Sequence, residues 1–218
     1  MITLFLDTST TKLIVGIYKD FDCIFEAIDD SANDLSSKVL PRIDYSLKKS
    51  DLLLDDIDRI IVVNGPGSFT GVRVGVTIAK TLAWTKNIDI LTVSSLELLA
   101  TSKTDKEYIV SLIDARRDYF YAGIYLNGKN VIEDQYISRN ELLNKIDEIT
   151  SIDNVSFVSY DNIDGLTITE PNLNIEKIVK KYNKKKSLNP HSVNPNYLKR
   201  VEAEEKLDDK RNKWYKFN

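Results

Sequence analysis

The sequence predicts an α/β protein that is built from two related domains in tandem. Two observations support this prediction: apolar segments alternate between strand-like and helix-like spacing, and the same order of elements starts twice. Each start is a pair of apolar strands around a short polar turn, DTSTTK in the first half and ARRD in the second. With 218 residues, the chain is long enough for one large or two small domains with a real core.

The first half is predicted to have the order β-β-β-α-β-α-β-α. Its first two strands form a hairpin, and DCIFEAI supplies the third strand. Helical spacing of Val39, Ile43 and Leu47 predicts the first helix, in which Pro41 either makes a kink or lies in the first turn. Strands are predicted at 2–6, 13–18, 22–28, 58–63 and 88–93, and helices at 35–49, about 70–84 and 95–100.

The second half follows a polar linker, TSKTDK, and opens with the second hairpin. Asn127-Gly128 directly after this hairpin is a strong turn signal. Strands are predicted at 108–114, 119–126 and 154–160, and helices near 139–146, at 175–186 and beyond residue 196. We therefore expect an N-terminal domain at 1–102 and a smaller C-terminal domain at 103–218 that ends in a basic helix.

A glycine-rich loop, NGPGSFTG, connects a buried strand to the second helix. Gly65, Gly67 and Gly71 at such a place can offer free N–H groups and a helix dipole to an anion. Val72 and Arg73 do not match the Lys and Ser or Thr of a P-loop, and the spacing is one residue too long for the dinucleotide fingerprint. The residues therefore give little support to a nucleotide site and favour a loop that positions the helix.

The helix after this loop has small or apolar residues on more than one face. Small residues recur at every fourth position, which allows another backbone to approach closely. Val74, Ile78 and Leu82 form the neighbouring stripe. The small residues are Gly71, Gly75, Ala79 and Ala83, and Val72 and Val76 lie on their other flank. Either this helix packs tightly on its own sheet and the adjacent helix, or one side of it lies against a partner helix.

Candidate catalytic residues are few. His191 is the only histidine, so a His-pair zinc motif cannot form, and the chain has no G-x-S-x-G elbow of an α/β-hydrolase. Asp7 ends the first strand, where it either caps its own Asx turn, which is the favoured role, or orients a metal or a water. Asp114, Arg116 and Arg117 at the second hairpin are candidates for contact with an anion.

Charge and cysteine content narrow the class of protein further. Residues 176–218 contain 13 Lys or Arg and 6 Asp or Glu, although the whole chain has a net charge of −3. This basic end either contacts nucleic acid or an acidic protein, or is a solvated helix and loop. The single cysteine, Cys23, excludes a disulfide framework, suits a reducing cytoplasm and is expected in the core. We expect no signal peptide and no membrane span.

Several segments together resemble the TsaB family, the dimerisation subunits of the bacterial machinery that makes threonylcarbamoyladenosine in tRNA. They are LFLDTSTTKLIVGIY, SSKVLPRID, NGPGSFTGVRVGVTIAKTLAW, VSSLELLA, LIDARRDYFYAGIY and NPNYLKR. The block G-P-G-S-F-T-G-x-R-x-G is the most specific of these, whereas residues 128–190 contribute little. The resemblance implies an actin-like fold of the ASKHA type, with two RNase H-like domains that each have a mixed five-stranded sheet and flanking helices.

The resemblance also implies a non-catalytic scaffold without a cofactor or metal of its own. Its implied partners are TsaD, which transfers the threonylcarbamoyl group, the ATPase TsaE, and tRNA through the complex. Two helices, at 36–49 and 70–84, would pair with the same helices of TsaD, and the loop Gly65, Pro66, Gly67 and Ser68 would set the entry angle of the second one. The implied interface residues are Val39, Ile43, Gly71, Val72, Gly75, Val76, Ala79 and Ala83.

Two other possibilities are kept. The first is an ASKHA-type ATPase or kinase that uses Asp7, Asp114 and the glycine loop. The second is a homodimer when the partner is absent, because the same apolar helices could pair with each other. A metalloprotease is disfavoured because the chain has one histidine.

Overall fold

A computed structural model describes residues 1–30 and 34–199 of the chain, and the basic helix predicted near the C-terminus lies almost entirely outside these residues. The described part forms two five-stranded sheets and five α-helices. The strands are β1 (Ile2–Asp7), β2 (Lys12–Lys19), β3 (Asp22–Asp30), β4 (Arg59–Val63), β5 (Asp89–Val93), β6 (Tyr108–Asp114), β7 (Tyr119–Leu126), β8 (Lys129–Ser138), β9 (Val155–Val158) and β10 (Ile168–Thr169). The helices are α1 (Leu35–Lys49), α2 (Phe69–Lys86), α3 (Ser95–Leu99), α4 (Arg139–Ile149) and α5 (Ile175–Tyr182).

The first sheet has the strand order β3-β2-β1-β4-β5. Its first three strands are antiparallel, whereas β4 is parallel to β1 and β5 is parallel to β4. β1 and β4 are almost continuously apolar because helices cover both faces of the sheet, as is usual for parallel strands. α1 and α2 pack on one face, and α3 and α5 pack on the other.

The second sheet repeats this order as β10-β9-β6-β7-β8. Again three antiparallel strands come first, and two parallel strands extend the sheet. The predicted turn between β7 and β8 is present, with left-handed φ values of 52° at Asn127 and 72° at Gly128. The repetition confirms the predicted fold class, two RNase H-like units with mixed five-stranded sheets and flanking helices.

The end of the described chain returns to the first sheet. Ile175, Ile178, Val179 and Tyr182 of α5 are buried against β1, β2, β4 and β5. Further along, the Leu188 N–H donates to the Ile90 carbonyl at 2.9 Å. The predicted division at residues 102 and 103 stays a prediction, and the segment from α5 onward contacts the first half rather than only the second.

Two local predictions need correction. Cys23 is exposed, not in the core, because β3 is the edge strand of the first sheet. Pro41 lies inside α1 and not in its first turn, which is formed by the residues after Asp34. Within the described residues, no helix has the length and apolar character needed to cross a membrane.

Candidate protein-binding surface

The small residues of α2 lie on the face that packs against the chain's own β1–β2 turn. Thr8 Oγ donates to the Gly71 carbonyl oxygen at 2.7 Å, which brings the turn and the helix backbone together. A Cβ on Gly71 would collide with the Thr8 carbonyl oxygen, and a Cβ on Gly75 would collide with the Thr8 side chain. The glycines are therefore required for close approach inside this chain.

All eight residues predicted to form the interface are buried within the chain itself. They are Val39 and Ile43 on α1, and Gly71, Val72, Gly75, Val76, Ala79 and Ala83 on α2. Six of them pack into the core beneath the helices, and the two glycines contact the β1–β2 turn, so the chain itself covers all eight. The packing interpretation given as the alternative describes this stripe. That these eight residues form a partner interface stays a prediction, and the exposed residues beside them on α1 and α2 are further candidates for that contact.

The loop before α2 is fastened to the β1–β2 turn by its own backbone. The Ser68 N–H donates to the Ser9 carbonyl at 2.7 Å, and a Cβ on Gly67 would collide with that same carbonyl. Gly65 has a φ of 103°, a conformation that favours glycine, and the Pro66 carbonyl accepts a hydrogen bond from the Ser95 hydroxyl. These contacts support the structural role predicted for residues 65–68.

Three N–H groups around the start of α2, those of Ser68, Gly71 and Val72, are hydrogen bonded within the chain. Ser68 is the N-cap, and its Oγ accepts from the Gly71 N–H at 3.2 Å. Its carbonyl accepts from the Val72 N–H at 2.9 Å. Because these donors are used internally, the loop is better suited to fix the helix than to bind a phosphate.

Asp7 forms the Asx turn that the sequence favours. Its Oδ1 accepts from the Ser9 N–H at 2.7 Å, and the residue is 1% exposed. Burial raises the pKa of this carboxyl from 3.8 to about 6, although the hydrogen bonds from Ser9 and Thr8 oppose the shift. The side chain is thus committed to the turn beneath the glycine loop.

The second hairpin turn is more open. Asp114 Oδ1 accepts from the Arg116 N–H at 2.8 Å, and Arg116 and Arg117 are both exposed with left-handed φ values of 67° and 56°.

His191 lies far along the chain, where its ring contacts Trp84 of α2. Among residues 1–30 and 34–199, no group of three or more His, Cys, Asp or Glu side chains is placed to hold a metal.

One flank of α2 is covered by the segment that follows α5. Lys80 Nζ donates to the Val193 carbonyl at 3.0 Å, and Arg73 Nε donates to the Tyr197 hydroxyl at 2.7 Å. The charged side chains of the middle of α2 therefore point toward this segment. This segment leaves the opposite flank of the helix uncovered.

The opposite flank of α2 is apolar or uncharged. Val74, Ile78 and Leu82 recur every fourth residue and are only partly buried, with their inner atoms packed on the core. Four exposed threonines accompany them, at positions 70, 77, 81 and 85. A helix flank without charged side chains is typical of a surface that becomes buried against a protein.

α1 extends this surface on its neighbouring edge. Arg42 and Tyr45 face β3, where they contact Asp29 and Phe25. Leu40 lies roughly 140° around the helix from Tyr45, at 3.6 residues per turn, and is 52% exposed on the edge away from β3. We call Leu40, Val74, Ile78 and Leu82 with the four threonines the α1/α2 surface.

A sequence signal for this surface exists. The spacing of Val74, Ile78 and Leu82 predicts this stripe. The small residues beside it allow a closer approach, however, and so the sequence favours their face as the partner interface. The threonines at positions 77, 81 and 85 also recur every fourth residue, next to the apolar stripe. An uncharged polar stripe of this kind is the sequence feature that distinguishes such a partly exposed flank from the charged surface of an ordinary solvent-facing helix.

Comparison with known proteins identifies the family. A family model described as "TsaD: tRNA N6-adenosine threonylcarbamoyltransferase" matches residues 29–188. The chain belongs to this family. Several of the curated relatives that resemble it carry the name TsaB, which confirms the resemblance inferred from the sequence segments.

Two of these relatives illustrate the similarity. The TsaB protein of Bacillus subtilis is 37% identical over 144 residues, which is 66% of this chain and 63% of that protein. The TsaB protein of Haemophilus influenzae is 27% identical in an alignment of 230 positions, which covers 93% of this chain and 95% of that protein. The match thus spans less than two thirds of the first relative and almost all of the second.

A solved structure has the same fold. The solved structure of YeaZ from Pseudomonas aeruginosa matches with a TM-score of 0.73 over 90% of this chain and 99% of that chain. Its sequence identity of 20% means that the agreement concerns the fold alone.

Proposed function

We propose that this chain is a non-catalytic scaffold subunit of a tRNA-modifying complex. It binds TsaD through the α1/α2 surface, and it supports the transfer of a threonylcarbamoyl group to the tRNA adenosine next to the anticodon. TsaD supplies the catalytic residues, and the ATPase TsaE joins the same complex. A cytoplasmic location and the capacity to form a homodimer in the absence of TsaD belong to this proposal.

The observation that supports the proposal most is the α1/α2 surface itself. Leu40 is half exposed beside a flank of α2 that has no charged side chain. Isolated exposed apolar residues are normal, but a continuous uncharged strip along two neighbouring helices marks an interaction site. A helix pair of a related fold is a suitable partner, because its apolar ridges can pack into the groove between α1 and α2.

The absence of a catalytic role is supported by what Asp7 and the glycine loop do. In the alternative ATPase or kinase, both would have to face a nucleotide. Asp7 is instead buried in its own turn, and the N–H groups of Ser68, Gly71 and Val72 are bonded inside the chain. Two of the three parts of the predicted nucleotide site thus hold the β1–β2 turn against α2, whereas the third, Asp114, is exposed at the other hairpin turn.

Co-purification with TsaD tests the proposal. Leu40→Glu places a charge on the α1/α2 surface at a side chain that is 52% exposed, so the fold should tolerate it. We expect binding to TsaD to weaken roughly 30-fold or more, as at an interface hot spot. Val131→Glu on β8 is the matched control, because Val131 is also apolar and 41% exposed but lies outside this surface.

Equal recovery of TsaD with both variants would mean that the interface lies elsewhere.

Calorimetry with ATP and magnesium on the isolated chain distinguishes the scaffold from the alternative ATPase or kinase. Tight nucleotide binding would favour the ATPase or kinase, whereas the scaffold is expected to show none.

A further inference from the structure

A second surface joins the two halves of the molecule and is made of aromatic rings. On the second sheet, the Tyr119 and Tyr136 rings are stacked with centroids 4.8 Å apart and planes 9° from parallel. Tyr121 is next to them, with its centroid 5.8 Å from that of Tyr136. One face of β7 and β8 thus presents three neighbouring tyrosine rings.

The rings continue across to the start of α2. Tyr121 lines a cavity of about 270 Å³, and the same cavity is lined by Phe69 of α2 and by Tyr197 of the segment that follows α5. The Phe69 and Tyr197 centroids are 5.7 Å apart. Five rings therefore border one continuous surface with an open cavity between the third and the fourth. We call Tyr119, Tyr136, Tyr121, Tyr197 and Phe69 the aromatic ladder.

Basic groups are interleaved with these rings. The Arg73 guanidinium lies 3.5 Å from the Phe69 centroid, and Lys199 Nζ lies 4.9 Å from the Tyr136 centroid. At the other end, Arg116 and Arg117 are exposed in the turn before Tyr119. The carboxylate of Asp118, which directly precedes Tyr119, is paired with Arg139 Nε at 2.5 Å, so this charge does not oppose an anion strongly.

The ends of the ladder are accessible. Tyr119 is 39% exposed, Tyr197 is 46% exposed and Phe69 is 53% exposed. The faces of exposed aromatic side chains can stack on other planar groups. Rings that alternate with Arg and Lys are the combination used for unpaired nucleotides, whose bases stack while their phosphates meet the cations.

We propose that the aromatic ladder binds single-stranded RNA. One base enters the cavity between Tyr121 and Tyr197, neighbouring bases stack on the exposed rings, and Arg73, Lys199, Arg116 and Arg117 meet the phosphates. The choice of RNA over DNA rests on the proposed function, in which the substrate is a tRNA. The ladder is separate from the α1/α2 surface, because Arg73 and Tyr197 lie on the other flank of α2.

Fluorescence anisotropy with a labelled single-stranded RNA tests whether the aromatic ladder binds RNA. The RNA has about eight nucleotides, a length within the range of known single-stranded sites. It is measured with the full chain and with its complex with TsaD. Tyr119→Ala and Tyr197→Ala are each expected to weaken binding roughly tenfold, since each removes one stacking ring. Tyr197→Phe keeps the ring and should retain most of the affinity.

Tyr45→Ala is the matched control. Tyr45 is also 46% exposed and also has basic groups over its ring, Arg42 and Lys49, but it lies on α1 outside the ladder. We expect it to leave RNA binding unchanged. A duplex of the same sequence should bind more weakly than the single strand, because its bases cannot stack on protein rings.

The outcomes are distinct. Equal affinity of Tyr197→Ala, Tyr119→Ala and Tyr45→Ala overturns the proposal, and so does the lack of RNA binding by both the chain and the complex. Loss of TsaD binding with unchanged RNA binding in Tyr197→Ala would make the ladder a protein contact instead. Conversely, if Leu40→Glu abolishes TsaD binding while the isolated chain still binds RNA, the two surfaces act independently.

Discussion

α2 and α4 both lie on one face of a sheet with the same strand order, but their outer surfaces differ. α4 buries Leu142 and Ile146 and exposes Glu141, Asp147 and Glu148, which is the ordinary pattern of an amphipathic surface helix. The outer flank of α2 instead has threonines beside partly exposed Val74, Ile78 and Leu82.

The difference shows that the exposed helix surfaces of the two halves differ in their content of charged residues. A helix that stays in solvent gains solubility from charged residues, whereas a flank that becomes buried against a protein must avoid unpaired charges. The repeated fold therefore has one half with a conventional charged helix surface and one half with the surface that we propose binds a partner. The predictions below test this contrast from the largest expected effect to the smallest.

The largest effect is expected when α2 is given the charged surface of α4. The double variant Thr77→Glu with Thr81→Lys places an ion pair at positions i and i+4 on the exposed flank. The pair should leave the helix as stable as before, or more stable by roughly 0.3 kcal/mol. Binding to TsaD should weaken about 100-fold, equivalent to about 3 kcal/mol, because two charges lose water at the interface.

The matched control is Asn144→Glu with Glu148→Lys, which creates the same pair on exposed positions of α4. It should not change the dissociation constant measured by titration calorimetry. Similar losses in both double variants would show that the contrast between α2 and α4 has no bearing on binding.

The two hairpin turns give the next contrast. Asp7 and Asp114 both close Asx turns after the first strand of their sheets, but Asp7 is buried, at 1% exposed, whereas Asp114 is exposed. Burial raises the pKa of Asp7 to about 6 in the folded state. Its contribution to stability is therefore fully present below about pH 4 and is lost as the pH rises through about 6.

Asp7→Asn should remove this pH dependence. The amide oxygen can still accept the Ser9 N–H, so the turn is kept while the titratable proton is lost. Between pH 4 and pH 7, the free energy of unfolding of the original chain should fall by on the order of 2 kcal/mol more than that of the variant. Urea denaturation at several pH values measures this, with Asp114→Asn as the baseline. Parallel pH profiles for the original chain and Asp7→Asn would contradict the burial of an ionisable carboxyl.

These contrasts also show what the sequence could reveal. Strand and helix positions followed from apolar spacing, and the Asx turn of Asp7 followed from the preference of Asp for such turns. The side of α2 that faces the sheet did not, because Gly71 and Gly75 suit close approach to any backbone and only the fold shows that Thr8 provides it. Likewise, no local pattern shows that β3 is an edge strand, so the exposure of Cys23 depends on the strand order.

The inner face of α2 gives a smaller but definite effect. Gly71→Ala removes a residue that disfavours helices, a gain of about 1 kcal/mol, but its Cβ must displace the Thr8 backbone. Overpacking of this kind typically costs about 1–3 kcal/mol and sometimes more, so we expect a net loss of roughly 1–2 kcal/mol in urea denaturation. Thr77→Ala on the outer flank should change stability by less than about 0.5 kcal/mol. Gly71→Ala that is as stable as the original chain would mean that the Thr8 contact is loose.

The smallest effects concern the caps of the two helices. Ser138 caps α4 in a capping box, in which its N–H and hydroxyl donate to Glu141 Oε2 at 3.2 and 2.7 Å. Ser68 caps α2 and also contributes the N–H that holds the glycine loop to Ser9. Ser138→Ala and Ser68→Ala should each lower the free energy of unfolding by about 1 kcal/mol.

Their effects on TsaD binding should differ, because only α2 belongs to the proposed interface. Ser138→Ala should bind TsaD like the original chain, whereas Ser68→Ala should bind a few-fold more weakly, since a frayed first turn must be ordered again in the complex. The backbone N–H of Ser68 survives the substitution, so the loop keeps its link to Ser9 and the loss should stay small. A large loss for Ser68→Ala would show that its hydroxyl itself contacts the partner, and equal binding of both variants would show that the first turn of α2 lies outside the interface.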